Sequence, residues 1–129
     1  MLKQTQRAVD EVLAPSRKSH TDLGEGMFRT SPEGAYLSVN PALAQIYGYG
    51  SPQQMMSELR DIQRLLYVDP NRRQEFIDAM ARDGFVTDFR SQIYSRNADI
   101  VWISEHARAV RDEQGQLMFY EGTVNVIDS

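Results

Sequence analysis

Two long alternating runs close the chain. Ile100–Val110 and Leu117–Ile127 place apolar residues at alternate positions, and the polar stretch Arg111-Asp112-Glu113-Gln114-Gly115-Gln116 lies between them. Period-two alternation on either side of a Gly-containing loop predicts an antiparallel hairpin. One face of it carries Val101, Ile103, Glu105, Ala107 and Ala109 together with Met118, Tyr120, Gly122, Val124 and Val126. This set is the more apolar and is assigned to the core. The opposite face carries Trp102, Val110, Leu117, Phe119 and Ile127. A stripe of that size on the outside of a sheet marks an interaction surface that a helix or a partner would cover.

Upstream, Met27–Thr30 and Ala35–Val39 read as two short strands, joined by Ser31-Pro32-Glu33-Gly34, a sequence suited to a type I turn. Three helices then open on the same device, a capping residue followed by proline at the first helical position. Asn40-Pro41 starts one that runs to Tyr47, with Gly48 as its terminator. Ser51-Pro52 starts the second, and Gln54 completes a capping box with Ser51. Asp69-Pro70 starts the longest, which buries Phe76, Ile77 and Met80 and ends near Asp83 ahead of Gly84. A short helical turn is expected within Leu59–Leu66, and Val86–Tyr94 alternates as a strand. Residues 2–13 read as an N-terminal helix with Leu2, Val9, Val12 and Leu13 on one side, stopped by Pro15. A helix of about a dozen residues is marginal alone in water, so it is expected to lie against something. Hairpins at both ends with helices between them define an α+β fold, an antiparallel sheet with its helices on one face.

A chain of 129 residues is a single domain able to bury a real core. Its net charge of −4 and scattered basic residues give no nucleic-acid footprint. The absence of cysteine removes disulfides, thiolate chemistry and Cys-ligated zinc. No apolar run approaches the roughly 18–20 residues that span a bilayer, and Met1–Gln6 lacks the apolar core of a signal peptide. A soluble cytoplasmic domain without membrane insertion is the default expectation.

Chemistry is sparse. The two histidines, His20 and His106, fall in a connector and a strand, and no nucleophile-elbow, P-loop or HExxH spacing is present. No catalytic residue or metal ligand is assigned. Glu105 is the anomaly, because its strand face turns it inward, where an unpaired carboxylate is expensive. Either it pairs with a nearby Arg or Tyr or sits at a rim, or it orients a polar or cationic ligand. Gly122 beside it leaves room for such a ligand, or simply eases packing.

Taken in order, several short pieces resemble the PAS family. They are Phe28-Arg29-Thr30-Ser31-Pro32-Glu33-Gly34, Val39-Asn40-Pro41-Ala42, Gly48-Tyr49 with Ser51-Pro52, Tyr67-Val68-Asp69-Pro70 with Arg73, and Trp102. Ala107-Arg108-Ala109-Val110-Arg111-Asp112 with Gly115, and Glu121-Gly122-Thr123-Val124, complete the set, which spans roughly residues 22–127. The resemblance implies a five-stranded antiparallel sheet cradling helices around a central pocket. It sets a flanking helix and connector at residues 1–21 and a PAS domain at residues 22–129. Ile46, Phe76, Met80, Phe89, Ile93, Ile103, Glu105, Tyr120, Gly122 and Val124 are the candidates for lining that pocket.

The resemblance also implies a sensor that works as a homodimer and drives a kinase, cyclase or similar effector outside this chain, in two-component or cyclic-nucleotide signalling. Leu2, Val9, Val12 and Leu13 with Trp102 and Phe119 are the dimer-interface candidates. Haem and flavin are not expected. Family haem ligands commonly sit on the long helix, where this chain has no His, and light-sensing relatives need a cysteine. Ile93, Ile103 and Val124 are apolar at positions where flavin requires polar groups. An unknown small ligand stays open. Many relatives end the last strand in Asp-Ile-Thr, but here Val126-Ile127-Asp128 stands instead, so coupling through that aspartate is not carried over. The leading expectation is a non-catalytic signalling module, followed by a dedicated small-molecule receptor and then by a small enzyme on the same fold.

Overall fold

A computed structural model describes residues 24–128. The predicted N-terminal helix with its four apolar residues, the connector to it and His20 lie outside the described residues. Five strands and four helices follow in chain order: β1 (Gly26–Thr30), β2 (Tyr36–Val39), α1 (Pro41–Ile46), α2 (Pro52–Glu58), α3 (Ile62–Leu65), α4 (Arg72–Asp83), β3 (Phe85–Tyr94), β4 (Ile100–Arg111) and β5 (Leu117–Val126). The strands make one antiparallel sheet in the order β2-β1-β5-β4-β3. Its middle strand, β5, lies between the first and the penultimate strand of the described chain. The helices all fall between β2 and β3, and the residues they bury close over one face of the sheet.

Inward alternation on the strands meets the buried sides of the helices. Leu43 and Tyr47, Met55, Ile62 and Leu66, and Phe76 and Met80 pack with Ile93, Ile103 and Val124, and all are almost fully buried. Two glycines permit close approaches, one of helix to sheet and one of strand to strand. A Cβ on Gly26 would lie 2.7 Å from Leu43 Cδ1, and one on Gly122 would run into the His106 carbonyl and the Ala107 backbone. Gly122 therefore serves the close approach of β5 to β4, where it stands opposite Ala107, rather than leaving room for a ligand.

Several local readings change. The longest helix begins at Arg72 rather than at Asp69-Pro70, because the Asp69 carboxylate accepts the Asn71 N–H (2.9 Å) and holds these residues in a turn. Tyr47 is the cap of α1 rather than part of it. Ser51 Oγ does accept the Gln54 N–H (3.0 Å), but the Gln54 side chain returns to the N–H of Gly50 (2.6 Å) instead of Ser51.

Two strand irregularities shift the alternation. In β3 the register jumps between Val86 and Phe89, with Asp88 at φ 50°. At the start of β5, Val110 faces Phe119 while Arg111 faces Leu117, so Met118 is the extra residue. Leu117 consequently packs on the core, not on the outer face, and Met118 is half exposed. Val126, also assigned inward, is half exposed at the strand end.

Candidate functional site

The inner face of the sheet carries a polar cluster inside an otherwise apolar core. β4 turns Glu105 inward opposite Val124 on β5 and Phe89 on β3, and leaves it 5% exposed. Tyr67, in the segment between α3 and α4, is held against β3 by a bridge to Ile93 and by the Val68 N–H donating to the Gln92 carbonyl (3.1 Å). From there its hydroxyl donates to Glu105 Oε1 at 2.9 Å. The Tyr36 ring is partly exposed, but its hydroxyl end reaches the same region and lies near that of Tyr47. Burial pushes the Glu105 carboxyl above the ordinary carboxylate range, and the Tyr67 hydrogen bond and the charges of Arg73 and Arg72 pull it back only in part. Burial, reinforced by the Glu105 charge, likewise raises the phenols of Tyr36, Tyr47 and Tyr67.

Two successive arginines open α4 and meet different fates. Arg72 donates to Ser91 Oγ (2.9 Å), the Arg90 carbonyl (2.7 Å) and Glu75 Oε1 (2.8 Å), and its guanidinium stacks 3.6 Å from the Phe89 centroid. Arg73 is 3% exposed and turns into the core, 4.9 Å from the Phe76 ring centroid and 5.7 Å from that of Tyr120. Its Nε and Nη2 are buried without a hydrogen-bond partner, as is Thr30 Oγ1. Thr30 stands opposite both Tyr36 and Tyr120, so it belongs to the same end of the interior.

Of the pocket candidates, Phe76, Met80, Ile93, Ile103, Tyr120 and Val124 are buried around this cluster, and Ile46 and Phe89 are half-buried against it. Phe76 makes edge contacts with both Phe89 (5.7 Å) and Tyr120 (5.3 Å). Sequence reasoning singled out Glu105 but assigned no role to Arg73, Tyr67, Tyr36 or Tyr47. The signal for Arg73 was available: it precedes Phe76 by three residues and Met80 by seven, so it shares their helix face.

The outer face is built differently. Met27, Arg29, Phe85, Thr87, His106, Arg108, Glu121 and Thr123 line an open concavity of about 760 Å³. Glu121 accepts from Arg29 (3.2 Å) and Arg108 (2.6 Å), and Arg29 also lies 5.0 Å from the Phe119 centroid. Trp102 and Phe119 are half-buried and do not form one stripe. Trp102 lies eight residues along β4 from Val110, the partner of Phe119, which is about 26 Å of strand. The charged middle separates them. Near the β3 bulge, Ser104, Asp88 and His106 come together, but the Ser104 hydroxyl donates to Asp88 (2.6 Å) and His106 Nδ1 accepts the Asp88 N–H (3.3 Å). The hydroxyl therefore has no imidazole base on it. Among the described residues, no three His, Asp or Glu side chains are grouped to hold a metal ion, and no helix is long and apolar enough to cross a membrane.

An antiparallel sheet in the order 2-1-5-4-3, with its helices inserted between strands 2 and 3 over one face, is the architecture of a PAS domain. The sequence model of the PAS fold matches residues 36–124, and the chain belongs to that family. Solved structures agree. A PAS domain from Colwellia psychrerythraea superposes with a TM-score of 0.67 at 20% identity, covering 80% of this chain and 86% of its own. A PAS domain of a two-component sensor histidine kinase gives 0.62 at 16% identity, covering 80% and 85%. A light-oxygen-voltage domain studied with a flavin analogue gives 0.65 at 17% identity, covering 81% and 78%. No curated protein matches the sequence.

Proposed function

We propose that this chain is a non-catalytic sensory module that dimerises through its N-terminal helix and the outer face of its sheet, and so controls an effector outside this chain. The observation that carries the reading is the outer concavity, whose lining includes Met27 and Phe85, each exposed over more than half of its surface, with Trp102 and Phe119 half-buried farther along the strands. The chain enters β1 beside it, and the N-terminal helix expected from the sequence, with Leu2, Val9, Val12 and Leu13 on one side, is the proposed cover for this face, on its own sheet or on that of a second copy. Two such faces make a self-complementary interface. Burial of a few large apolar side chains, each worth about 1.5–3 kcal/mol, suffices for association at micromolar concentration. Sedimentation equilibrium tests this. The full chain is expected to be dimeric at micromolar concentration, and removal of residues 1–15, or Val9→Asp with Leu13→Asp, to yield a folded monomer. A monomeric full chain, or a double variant that stays dimeric, refutes it.

A second reading, that occupancy of the interior is the signal, is favoured by the buried polar cluster of Glu105, Tyr67 and Arg73. Of the three, Arg73 keeps nitrogens without a hydrogen-bond partner, and such groups are uncommon in native interiors. Neither haem nor flavin suits this site: Ile93, Ile103 and Val124 present only hydrocarbon there, and His106, the histidine of the described sheet, is exposed on its outer face. A protein purified without added cofactor is expected to be colourless above the aromatic absorption band. A Soret band or a flavin spectrum surviving gel filtration would overturn that part of the reading.

A further inference from the structure

A second polar cluster sits where β3 and β4 fall out of step. Val86 stands opposite Ala107 and Phe89 opposite Glu105, so Thr87 and Asp88 together face His106 alone. The extra residue makes a β-bulge. Asp88 takes it up at φ 50°, in the left-handed region that aspartate enters more readily than most residues but still at a cost. Three side chains hold it there. The Asp88 carboxylate accepts from the Ser104 hydroxyl (2.6 Å) and from Arg90 Nε (3.1 Å), and the Asp88 N–H donates to His106 Nδ1 (3.3 Å). Only the last of these contacts depends on a residue type that changes charge near neutrality. A ring nitrogen that accepts must be bare, so the imidazole is neutral and carries its proton on Nε2. Arg90 and then Ser104 hold the Asp88 carboxyl below the ordinary carboxylate range, so it stays ionised where histidine ordinarily titrates.

We propose that His106 and the Asp88 bulge form a pH-sensitive latch in the wall of the outer concavity, closed while the imidazole is neutral and opened when it takes a proton from solvent. Protonation turns Nδ1 from acceptor to donor, so it meets the Asp88 N–H donor to donor and that hydrogen bond is lost. The imidazolium is drawn instead to the Asp88 carboxylate, on which its charge acts. The contact between the strands thus passes from the backbone of Asp88 to its side chain, and the bulge loses the bond that fixes its amide. The charged groups around the ring, among the described residues, come from every neighbouring strand. Asp88 and Arg90 lie on β3, Arg108 on β4, Glu121 on β5 and Arg29 on β1, and Glu25 accepts from Asn125, two residues from the Thr123 that stands opposite His106. Glu121 is engaged by Arg29 and Arg108, which leaves Asp88 as the acceptor for the imidazolium. His106 and Thr87 both line the concavity, so opening the latch changes the shape and charge of that surface whatever covers it.

The test is a titration of the full chain from about pH 8 to about pH 5, the interval in which histidine ordinarily changes charge, followed by nitrogen-15 NMR. The His106 ring nitrogens report protonation and tautomer, and the Asp88 amide reports the latch. At the high end, Nδ1 is expected to show the shift of a bare nitrogen that accepts a hydrogen bond. As the ring gains its proton, the Asp88 amide proton should move upfield with the same midpoint. Its exchange rate, corrected for intrinsic pH dependence, should rise roughly fivefold, the loss of one ordinary hydrogen bond. His106→Asn places an amide oxygen where Nδ1 stands and does not titrate, so it should hold the Asp88 amide at its high-pH position throughout. His106→Phe, with no acceptor, should leave that amide at its low-pH position throughout. The wild-type resonances decide even where a variant fails to fold. An Asp88 amide that does not follow the ring, a ring that stays neutral to the end of the titration, or one that carries its proton on Nδ1 at the start overturns the proposal. So does an Asp88 amide that titrates with the wild-type midpoint in His106→Asn, since another group would then drive the change.

Discussion

Strand β4 feeds both sides of the sheet from alternate positions, with Ile103, Glu105 and Ala107 on one side and Ser104, His106 and Arg108 on the other. On the inner side charge is scarce and each polar group is consequential: one carboxylate, one guanidinium and a few phenols sit among aromatic and aliphatic side chains. On the outer side charges are plentiful and screened, as in the Arg29–Glu121–Arg108 group, whose arginines are more than half exposed. The same chemical types thus carry different energies a few ångströms apart. Inside, an ion in low dielectric must find a partner or change protonation. Outside, water supplies what a neighbour does not.

The comparison is broken most directly with two phenylalanines. Phe76 is fully buried between Phe89 and Tyr120, whereas Phe85 is 56% exposed in the lining of the outer concavity. Phe76→Ala is expected to lower stability by about 3–5 kcal/mol through lost burial and the cavity it leaves. Phe85→Ala should stay within about 0.5 kcal/mol at a protein concentration where the chain is monomeric. Urea denaturation followed by far-UV circular dichroism measures both. Equal costs would mean that the outer face is part of the folded core.

Next in size is Tyr67→Phe, which leaves the ring in place and removes the donor to Glu105. A loss of about 1–3 kcal/mol is expected, the cost of an unsatisfied buried acceptor. In the Glu105→Gln background the same change should cost less, because the remaining amide is uncharged. A double-mutant cycle with no coupling would show that the 2.9 Å contact contributes nothing.

The order of elements was readable from hydrophobic period and turn chemistry, since strands and helices here follow their own local rules. The Asn40 and Ser51 caps formed where proline followed them, with side chains accepting from Leu43 and Gln54. The third cap-proline pair did not start its helix, because Asp69 could satisfy the Asn71 N–H in a turn and the sequence does not distinguish the two uses. The bulge at Met118 was hidden for a related reason. An extra strand residue leaves no mark on composition, yet it reversed the faces of Leu117 and Met118. Within the candidate site, Glu105 stood out because a carboxylate on an apolar face breaks the pattern. Arg73 escaped because an arginine on a helix looks like a solvated residue until its phase with Phe76 and Met80 is counted. The meeting of Tyr67, Arg73 and Glu105 depends on contacts between distant segments, which no local pattern encodes.

A finer probe compares wild type with Glu105→Gln across pH. The Glu105 carboxyl is raised by burial, so the native state holds its proton more tightly than the unfolded chain. Below the unfolded value, near 4.5, both states are protonated and this group adds no slope. As pH rises through the interval up to the native value, the unfolded chain releases the proton first, and wild type loses stability. Relative to Glu105→Gln, wild-type stability should therefore fall from the ordinary carboxylate range upward and then level off. A difference that is flat with pH, or that grows in favour of wild type, would mean that Glu105 is better solvated than its 5% exposure suggests.

The smallest effect is expected from Glu121→Gln on the outer face. Glu121 is 23% exposed and accepts from two arginines, Arg29 at 56% and Arg108 at 68% exposure. Geometry alone would rank these contacts above the Tyr67–Glu105 bond, since the Arg108 contact is 2.6 Å. Screening reverses that order: the arginines keep most of their hydration with or without the carboxylate, and holding two long side chains in place costs conformational entropy. A loss below about 1 kcal/mol is expected, shrinking further as salt is raised, because exposed charges feel counterions. The Tyr67→Phe penalty should be insensitive to salt over the same range. Urea titrations of both variants at low and high ionic strength separate the two behaviours. A salt-independent loss of several kcal/mol in Glu121→Gln would show that the outer concavity is desolvated in the isolated chain, and that the two faces of the sheet do not differ in the way their exposures indicate.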